Sequence, residues 1–388
     1  MKTGFVRCLN VVVALALVMS ASLALAQDTR PPKTPHTSVD HPEFVPATQA
    51  TFLSGSDVVI GVTSGGIAKA YPAADVGQHG VVHDQMPDGP IAVTWCGICN
   101  TGVVFTMQAK GRILHLDSTG LEGLIGGNDV LKDRETGSRW QQATGTAISG
   151  PLKGTRLELY PFLRTNWAEW KRLHPGTLVL KPLPGYVERM PYVNKVIRET
   201  RLGTGPAPEG AFGQDNRLRP WETVARLEIG GEAVAFPFSV LRKVHVVNEK
   251  VGQTPVLIVH QPGSDTTTAF EARVKRRTLR FRPLDDEASK LADLETGSTW
   301  DAYGLCLAGS LEGLRLKPLI LIAEFWFAWS EFHPKPTYSI LEIRNSHDNA
   351  TRTPSLPDPG TGCLLCAGQL QCATAWTNVD RRAAGKYN

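Results

Sequence analysis

Four blocks of sequence occur twice in the chain, in the same order and at nearly constant spacing. The block Asp133–Trp140 recurs as Asp293–Trp300, an offset of 293 − 133 = 160 residues. The other three pairs are Gly66–Pro72 with Gly231–Pro237, Gly150–Gly154 with Gly309–Gly313, and Trp167–Pro175 with Trp326–Pro334. A repeat of this length indicates a structural unit used more than once. The sequence therefore predicts two tandem homologous repeats.

Each predicted repeat has the local pattern of a mainly β fold. Val58–Val62 and Ile67–Tyr71 flank a Ser-Gly-Gly turn, which is a hairpin signal. Ile91–Trp95 is a short apolar run suited to a buried strand, and Arg112–Leu116 alternates as a half-buried strand does. The one helical stretch, Asn166–Leu173, ends before a proline. We expect a β-rich α+β architecture in which a short helix closes each repeat.

The chain begins with a pattern typical of exported proteins. Lys2 and Arg7 precede an apolar run that ends at Ala24-Leu25-Ala26, the small-x-small form that signal peptidase accepts. A cleaved signal peptide is expected, with an uncleaved anchor as the alternative, and the mature protein would reside in the periplasm or be secreted. No later apolar run is long enough for a second span, so no stable membrane span is expected after cleavage.

These patterns divide the chain into six predicted segments. They are a signal peptide over residues 1–26, an N-terminal extension over 27–56, repeat 1 over 57–181, a linker or excursion over 182–221, repeat 2 over 222–342, and a Cys-rich tail over 343–388. The formal net charge is only +4 and no basic block stands out, which argues against nucleic acid as a partner. Nothing in the sequence indicates an oligomeric state or a substrate.

Six cysteines remain after the predicted signal is removed, namely Cys96, Cys99, Cys306, Cys363, Cys366 and Cys372. In an oxidising compartment they are compatible with three disulfides. They are equally compatible with one functional dithiol and a crosslinked tail, in which Cys306 is a further candidate partner. The sequence leaves both arrangements open.

Cys96 and Cys99 occur in repeat 1 alone. At an offset of 165 residues they fall on Gln261 and Ser264 of repeat 2, so the second copy has no thiol at either position. A purely structural need for the thiols would be expected in both copies, and their loss therefore favours a functional site in repeat 1. Two thiolates three residues apart can bind a soft metal such as copper(I), bind zinc, or close into a reducible disulfide; a nucleophilic cysteine is a further alternative. The Gly and β-branched residues that follow predict a strand, unlike the long helix that follows a thioredoxin dithiol.

Two histidines precede the cysteine strand and are candidates for further metal ligands. His79 and His83 align with Val244 and Asn248, so the imidazoles disappear together with the thiols, although a one-residue slip would place His245 opposite His79. Neutral imidazole is a common metal ligand. The predicted ligands are Cys96, Cys99 and His79, with His83 the weaker candidate, and a surface or core histidine is the alternative for each ring.

Asp133 is a candidate catalytic group beside the two cysteines, because a carboxylate near a thiol can act as a base. It recurs as Asp293 in repeat 2, which has no dithiol. This recurrence favours a structural interpretation, in which an Asp and Thr stabilise a turn and Trp140 lies in the core.

At these motifs the sequence resembles a bacterial family of exported proteins known as domain of unknown function 3179, over about Asp57 to Tyr338. The resemblance rests on Ala68–Pro72, His79, Val93–Cys96, Cys99–Gly102, Asp133–Trp140, Gly150–Leu157 and the Trp-containing helix. Family members typically have a Cys-Pro-Leu-Cys-like pair where this chain has Cys-Gly-Ile-Cys, and an Asn in place of His83. The resemblance implies the fold and the compartment, and it implies no established activity.

The leading functional expectation is an exported protein that binds a soft metal through a Cys-x-x-Cys/His site in repeat 1. Copper is preferred and zinc is the alternative, and redox chemistry at the same site is a further expectation. One alternative is a non-catalytic envelope binding module in which Cys96 and Cys99 form a structural disulfide. Another is a metal-free thiol–disulfide oxidoreductase. Whether the protein is an enzyme stays open at this point.

Overall fold

β-Strands dominate the part of the chain that the structure, a computed structural model, describes. The described residues are 38–120, 123–182, 215, 217–333 and 338–340. They contain 28 strands and four helices of seven residues each, so the prediction of a mainly β fold is confirmed. The predicted signal peptide, most of the predicted linker and the Cys-rich tail lie outside the described residues. None of the helices described is long and apolar enough to cross a membrane.

The strands between residues 44 and 180 form four sheets. Their bounds are β1 (Phe44–Pro46), β2 (Val58–Ser64), β3 (Ile67–Pro72), β4 (Val81–Met86), β5 (Gly89–Cys96), β6 (Thr101–Thr106), β7 (Gln108–Ala109), β8 (Arg112–Ile113), β9 (Leu116–Ser118), β10 (Val130–Asp133), β11 (Arg139–Gln141), β12 (Thr146–Ser149), β13 (Leu163–Asn166) and β14 (Leu178–Leu180). The sheet orders are β1-β14-β3-β2-β13, β4-β5-β6, β7-β8 and β12-β11-β10-β9.

The strands between residues 223 and 340 also form four sheets. Their bounds are β15 (Thr223–Ile229), β16 (Glu232–Pro237), β17 (Val246–Val251), β18 (Thr254–Gln261), β19 (Thr266–Glu271), β20 (Arg273–Val274), β21 (Arg277–Thr278), β22 (Phe281–Pro283), β23 (Lys290–Asp293), β24 (Thr299–Asp301), β25 (Cys306–Ala308), β26 (Lys317–Leu319), β27 (Ile322–Phe325) and β28 (Tyr338–Ile340). The sheet orders are β27-β15-β16-β28, β17-β18-β19-β26, β20-β21 and β22-β23-β24-β25.

Each half of the described chain has two helices, where the sequence predicted one. The four are α1 (Ala73–His79), α2 (Trp167–Leu173), α3 (Phe238–Val244) and α4 (Trp326–Phe332). The predicted helical stretch Asn166–Leu173 is confirmed as α2. Asn166 is its N-cap, because the Asn166 side chain accepts a hydrogen bond from the Glu169 amide at 2.8 Å. The other helix of each half, α1 or α3, was missed because it begins after a proline with no side-chain cap, so no cap residue marks its start.

Residues 58–180 (the first half) and 223–340 (the second half) pass through their elements in the same order. A hairpin leads into a helix, then a three-stranded meander, a small hairpin, a second meander, a strand followed by a helix, and a last short strand. The second half has one additional strand, β26, before β27. The two halves meet crosswise, since β13 lies against β19 and β27 lies against β6. The first half therefore packs β13 on the meander β17-β18-β19 of the second half, and the second half packs β27 on the meander β4-β5-β6 of the first half.

The predicted hairpin of the first half is present as β2 and β3. Gly65 and Gly66 form its turn with φ of 55° and 80°, a conformation that favours glycine. Within β2, Gly61 lies flat under the Trp170 ring, and a Cβ atom at this position would come within 2.1 Å of the ring. The tryptophan of α2 therefore packs on the hairpin at a position where only glycine leaves room.

Candidate functional site

The two thiols of the Cys-x-x-Cys motif lie at a tight turn between two buried strands. Cys96 is the last residue of β5, and Cys99 precedes β6. Asn100 turns the chain with φ of 57°, in the left-handed region. Cys96 is 4% exposed and Cys99 is 0% exposed, and both are free thiols. This strand–turn–strand setting agrees with the pattern that distinguished the motif from a thioredoxin site.

A cradle of polar side chains surrounds the Cys99 sulfur. Asn128 Nδ2 donates a hydrogen bond to Cys99 Sγ at 2.8 Å, and Thr101 Oγ1 donates to the same sulfur at 3.0 Å. Asn128 is itself held in place, since its Oδ1 accepts from Gln141 Nε2 at 2.5 Å and its Nδ2 also donates to Gln142 Oε1 at 2.8 Å. The donors that face the sulfur are therefore fixed by the fold in advance.

The protonation of Cys99 is set by two opposing effects. Burial raises the pKa of the Cys99 thiol well above its usual range, and the neighbouring Cys96 thiol raises it further. The hydrogen bonds from Thr101 and Asn128 lower this pKa, because they stabilise the thiolate, but they do not offset the burial. Cys99 is therefore a protonated thiol at neutral pH.

The second half of the chain supplies an apolar cover over the thiols. The Phe325 amide donates to the Cys99 carbonyl at 2.9 Å, and Phe325 and Phe327 pack with Cys96 and Cys99 in one buried cluster. Trp221 lies edge-on to both phenylalanines, with ring centroids 5.5 and 5.0 Å away. The dithiol of one half is therefore enclosed by the other half.

A buried ion pair stands behind the cradle. Arg226 Nε lies 3.1 Å from Glu324 Oε1, with both side chains almost fully buried, and Arg226 Nη2 donates to the Ala143 carbonyl at 2.6 Å. Burial raises the pKa of Glu324, while Arg226 and the neighbouring Thr101 hydroxyl lower it. This pair was not predicted from the sequence; its only signal is that Arg226 and Glu324 each stand between two apolar neighbours in a strand.

His79 ends helix α1, which packs against the cysteine strand β5. A Cβ atom added at Gly77 of this helix would come within 3.0 Å of the Trp95 ring, and one added at Gly80 would come within 2.4 Å of Ser118 Cβ. Among the residues that the structure describes, no group of three or more His, Cys, Asp and Glu side chains is arranged to hold a metal ion. The fold brings Cys96 and Cys99 together and does not gather His79 into a ligand set with them.

His83 in β4 contacts two neighbouring segments through its two ring nitrogens. Nδ1 pairs with Asp40 at 2.8 Å, and Nε2 accepts from the Leu116 amide at 3.0 Å. Burial lowers the pKa of His83, which keeps the ring neutral. Asn248, at the aligned position in the second half, accepts from the Phe281 amide at 2.7 Å. Both residues therefore fasten one meander to the next, and neither nitrogen of His83 is left to face a metal.

Asp133 has the contacts that the structural interpretation required. Its carboxylate accepts from the Thr136 amide at 2.5 Å, from Thr136 Oγ1 at 2.9 Å and from Trp140 Nε1 at 2.9 Å. Asp293 makes the corresponding contacts in the second half. The structure thus gives Asp133 the role of anchoring a turn to a core tryptophan.

Asp129 is a further titratable group next to the cradle that the sequence analysis did not single out. It follows Asn128, and its Oδ2 accepts from Ser118 Oγ at 2.6 Å. Burial raises the pKa of Asp129 to about 6. The residue is therefore mostly ionised at neutral pH at a considerable cost to the folded state.

Comparison with known proteins gives one match. The family described as "Protein of unknown function (DUF3179)" matches residues 35–336. No curated protein and no solved structure matches the chain.

Proposed function

The chain belongs to the DUF3179 family, whose members have no established function, and we propose from the geometry of the site that Cys96 and Cys99 bind a soft metal ion, copper(I) before others. The observation that carries the proposal is the pair of adjacent free thiols held in one buried, pre-formed cradle. Thiolate sulfur selects soft ions such as copper(I). Thr101 and Asn128 already point donors at the Cys99 sulfur, as a bound thiolate requires.

Burial favours a metal ion over a disulfide substrate. An incoming sulfur must approach the attacking thiolate directly, whereas Cys99 is fully buried and Cys96 is nearly so. The raised pKa of Cys99 also leaves little thiolate to attack at neutral pH. A metal ion is small, and its charge displaces the proton from a thiol that it binds.

The number of sulfurs favours copper(I) over zinc. Structural zinc is almost always held by four ligands, and two thiols supply half of that set. Copper(I) is stable with two thiolates, so the pair Cys96 and Cys99 suffices for it. His79 was predicted as a third ligand and remains part of the proposal as a group that would add a nitrogen donor if α1 moved towards the thiols.

Redox activity at the same pair is the second candidate. The Cys99 thiol is hydrogen bonded to Cys96, and two neighbouring thiols can form a disulfide by passing two electrons and two protons to a substrate disulfide, which is reduced to two thiols. A measured dithiol potential, together with turnover of a small model disulfide, would favour this oxidoreductase over metal binding. A bond that already links the sulfurs in protein isolated from the periplasm would favour the non-catalytic binding module.

We also propose that the two halves are copies of one ancestral unit and that the mature protein acts in the periplasm or outside the cell. The same order of elements and the paired contacts of Asp133 and Asp293 support the duplication. The second half would then have lost its own thiols and become the cover of the first site. The N-terminal signal pattern supports the location.

The test is an anaerobic titration of the mature protein with copper(I) against a competing chelator. We expect one tightly bound copper(I) that is lost in Cys96→Ser/Cys99→Ser. Cys306→Ser is the matched control, because Cys306 is also a buried free thiol but lies in the second half. A second control, Cys363→Ser/Cys366→Ser/Cys372→Ser, removes the tail thiols.

Equal copper affinity in the wild type and in Cys96→Ser/Cys99→Ser would end the proposal. X-ray absorption of the copper-loaded protein then counts the ligands. Two sulfurs alone would assign the metal to the dithiol, and an added nitrogen that vanishes in His79→Gln would place His79 in the ligand set. Reversible oxidation of Cys96 and Cys99 at a defined potential in the copper-free protein would favour the redox alternative.

A further inference from the structure

A cleft of about 450 Å³ opens between the two halves at the turn between β18 and β19. Pro262, Gly263 and Ser264 line it from the second half, and Arg164 and Asn166 line it from the first. This turn occupies the place in the second half that the Cys96–Cys99 turn occupies in the first. The cleft is thus the counterpart of the dithiol site.

The cleft is open because the aromatic cover is missing here. The Phe327 amide donates to the Pro220 carbonyl at 3.0 Å, and the Ala168 amide donates to the Gly55 carbonyl at 2.9 Å, so the two segments are arranged alike. When the two halves are aligned on these two hydrogen bonds, the three aromatic residues that cover the dithiol correspond to small or polar residues at the cleft. The pairs are Trp221 with Ser56, Phe325 with Asn166 and Phe327 with Ala168. Space that indole and phenyl rings fill in one site is left to solvent in the other.

The charge of the cleft favours an anion. Arg164 and Arg242 both line it, and Asp265 is the only acid among the described residues that do so. Arg242 holds Asp265 through two hydrogen bonds of 3.0 Å. Two arginines and one acid give the lining a net charge of +1. Guanidinium groups bind planar carboxylates through paired hydrogen bonds.

An adjoining cleft supplies an apolar wall. It measures about 430 Å³ and shares Arg164 and Asp265 with the first cleft. Phe162, Phe270 and Tyr303 are among its lining residues. Clefts of this size are typical of small-molecule sites, which combine apolar walls with a few placed polar groups. A ligand that spans both clefts would have an anionic head and an apolar body.

We propose that this cleft between the halves binds a small organic carboxylate, with the carboxylate at Arg164 and Arg242 and the apolar body against Phe162 and Tyr303. The proposal does not depend on metal binding. Arg164 does reach the dithiol turn, since its Nη2 lies 3.4 Å from Asn100 Oδ1 and its guanidinium lies over the Trp95 ring.

The test uses benzoate as the probe, benzamide as its neutral isostere and inorganic phosphate as an anion without an apolar body. Isothermal calorimetry on the mature protein should show saturable binding of benzoate and binding at least about tenfold weaker for benzamide. Arg164→Gln and Arg242→Gln should each weaken benzoate binding about tenfold or more. Arg280→Gln is the matched control, because Arg280 is an exposed arginine of the second half that pairs with Glu295 elsewhere.

Four results would overturn the proposal. They are absence of benzoate binding, equal binding of benzoate and benzamide, binding of phosphate in preference to benzoate, and full benzoate affinity in both arginine variants. Arg242 is half exposed, so Arg242→Gln reports on the site even if Arg164→Gln fails to fold. Cys96→Ser/Cys99→Ser should bind benzoate as the wild type does, which separates the failure of this proposal from the failure of the metal site.

Discussion

Replacing Arg226 with Met should destabilise the protein, and the loss should shrink as the pH falls. The substitution keeps an apolar stem in the core but removes the guanidinium that lies 3.1 Å from Glu324 and donates to the Ala143 carbonyl. Glu324 is completely buried, so no water can replace the lost partner. Its carboxylate must then stay charged in an apolar place or take up a proton.

The cost follows from that choice. Protonating a glutamate costs about 1.36 kcal/mol for each pH unit above its ordinary pKa of 4.5, or about 3.4 kcal/mol at pH 7 and about 0.7 kcal/mol at pH 5. The Ala143 carbonyl loses its hydrogen-bond donor, which adds about 1–3 kcal/mol to the loss of stability at either pH. Burial already raises the pKa of Glu324 in the wild type, so these costs are upper limits. We therefore expect Arg226→Met to lower the free energy of unfolding by up to about 6 kcal/mol at pH 7 and by up to about 4 kcal/mol at pH 5.

Urea unfolding followed by tryptophan fluorescence at both pH values measures these losses. The double variant Arg226→Met/Glu324→Leu should recover the carboxylate part, because it removes both charges and leaves only the Ala143 carbonyl without its donor. The free energy of unfolding of the double variant should then be about 1–3 kcal/mol lower than that of the wild type at either pH. Equal losses for Arg226→Met at pH 7 and pH 5, or a double variant as unstable as the single one at pH 7, would refute the reasoning.

Three further variants test other parts of the structure. Asp129→Asn should raise the free energy of unfolding at pH 7 by up to about 3 kcal/mol, because burial raises the pKa of Asp129 to about 6 and ionising it opposes folding. This gain should fade as the pH drops from 6 to 4. Thermal melts across this range measure it, and a gain that stays constant would contradict the prediction. Burial lowers the pKa of His260 to about 4, so its contribution to stability is complete above pH 6.5 and is lost as the pH falls towards 4; His260→Gln should melt with a flatter pH dependence in this window, and an unchanged slope would count against the assignment. Gly61→Ala should cost about 3 kcal/mol in urea unfolding because the new methyl group meets the Trp170 ring, whereas Gly176→Ala, with no atom within 4 Å of the added group, should be close to neutral; similar losses in the two would exclude the clash as the cause.

Local sequence patterns predicted the elements whose partners are also local. The β2–β3 hairpin and the helix 167–173 carry their turn and cap residues within a few positions. By contrast, the predicted strand Arg112–Leu116 is divided in the structure, because Arg112–Ile113 pairs with β7 and Leu116 begins a strand that pairs with β10. Alternation of side chains identifies a strand but does not identify its neighbour.

The candidate site likewise contains residues that local sequence patterns identify and residues that they do not. Cys96 and Cys99 could be identified from the sequence because they are three residues apart and have no counterpart in the second half. Asn128 is 29 positions from Cys99, and Phe325 reaches it from the other half of the chain, so no local signal marks either residue. His83 attracted a metal role because it vanished together with the thiols, whereas the fold uses it, like Asn248, to fasten two strands.

The cover over the thiols is also the last part of the site to be synthesised. Phe325 follows Cys99 by 325 − 99 = 226 positions, so a nascent chain carries the sulfurs uncovered while the second half is still being synthesised. Domains generally fold as units from the N-terminus. Phe325 and Phe327 close over the sulfurs only when β27 and α4 have folded. Enclosure of the dithiol is therefore a late event, which follows the folding of the strands that hold the thiols.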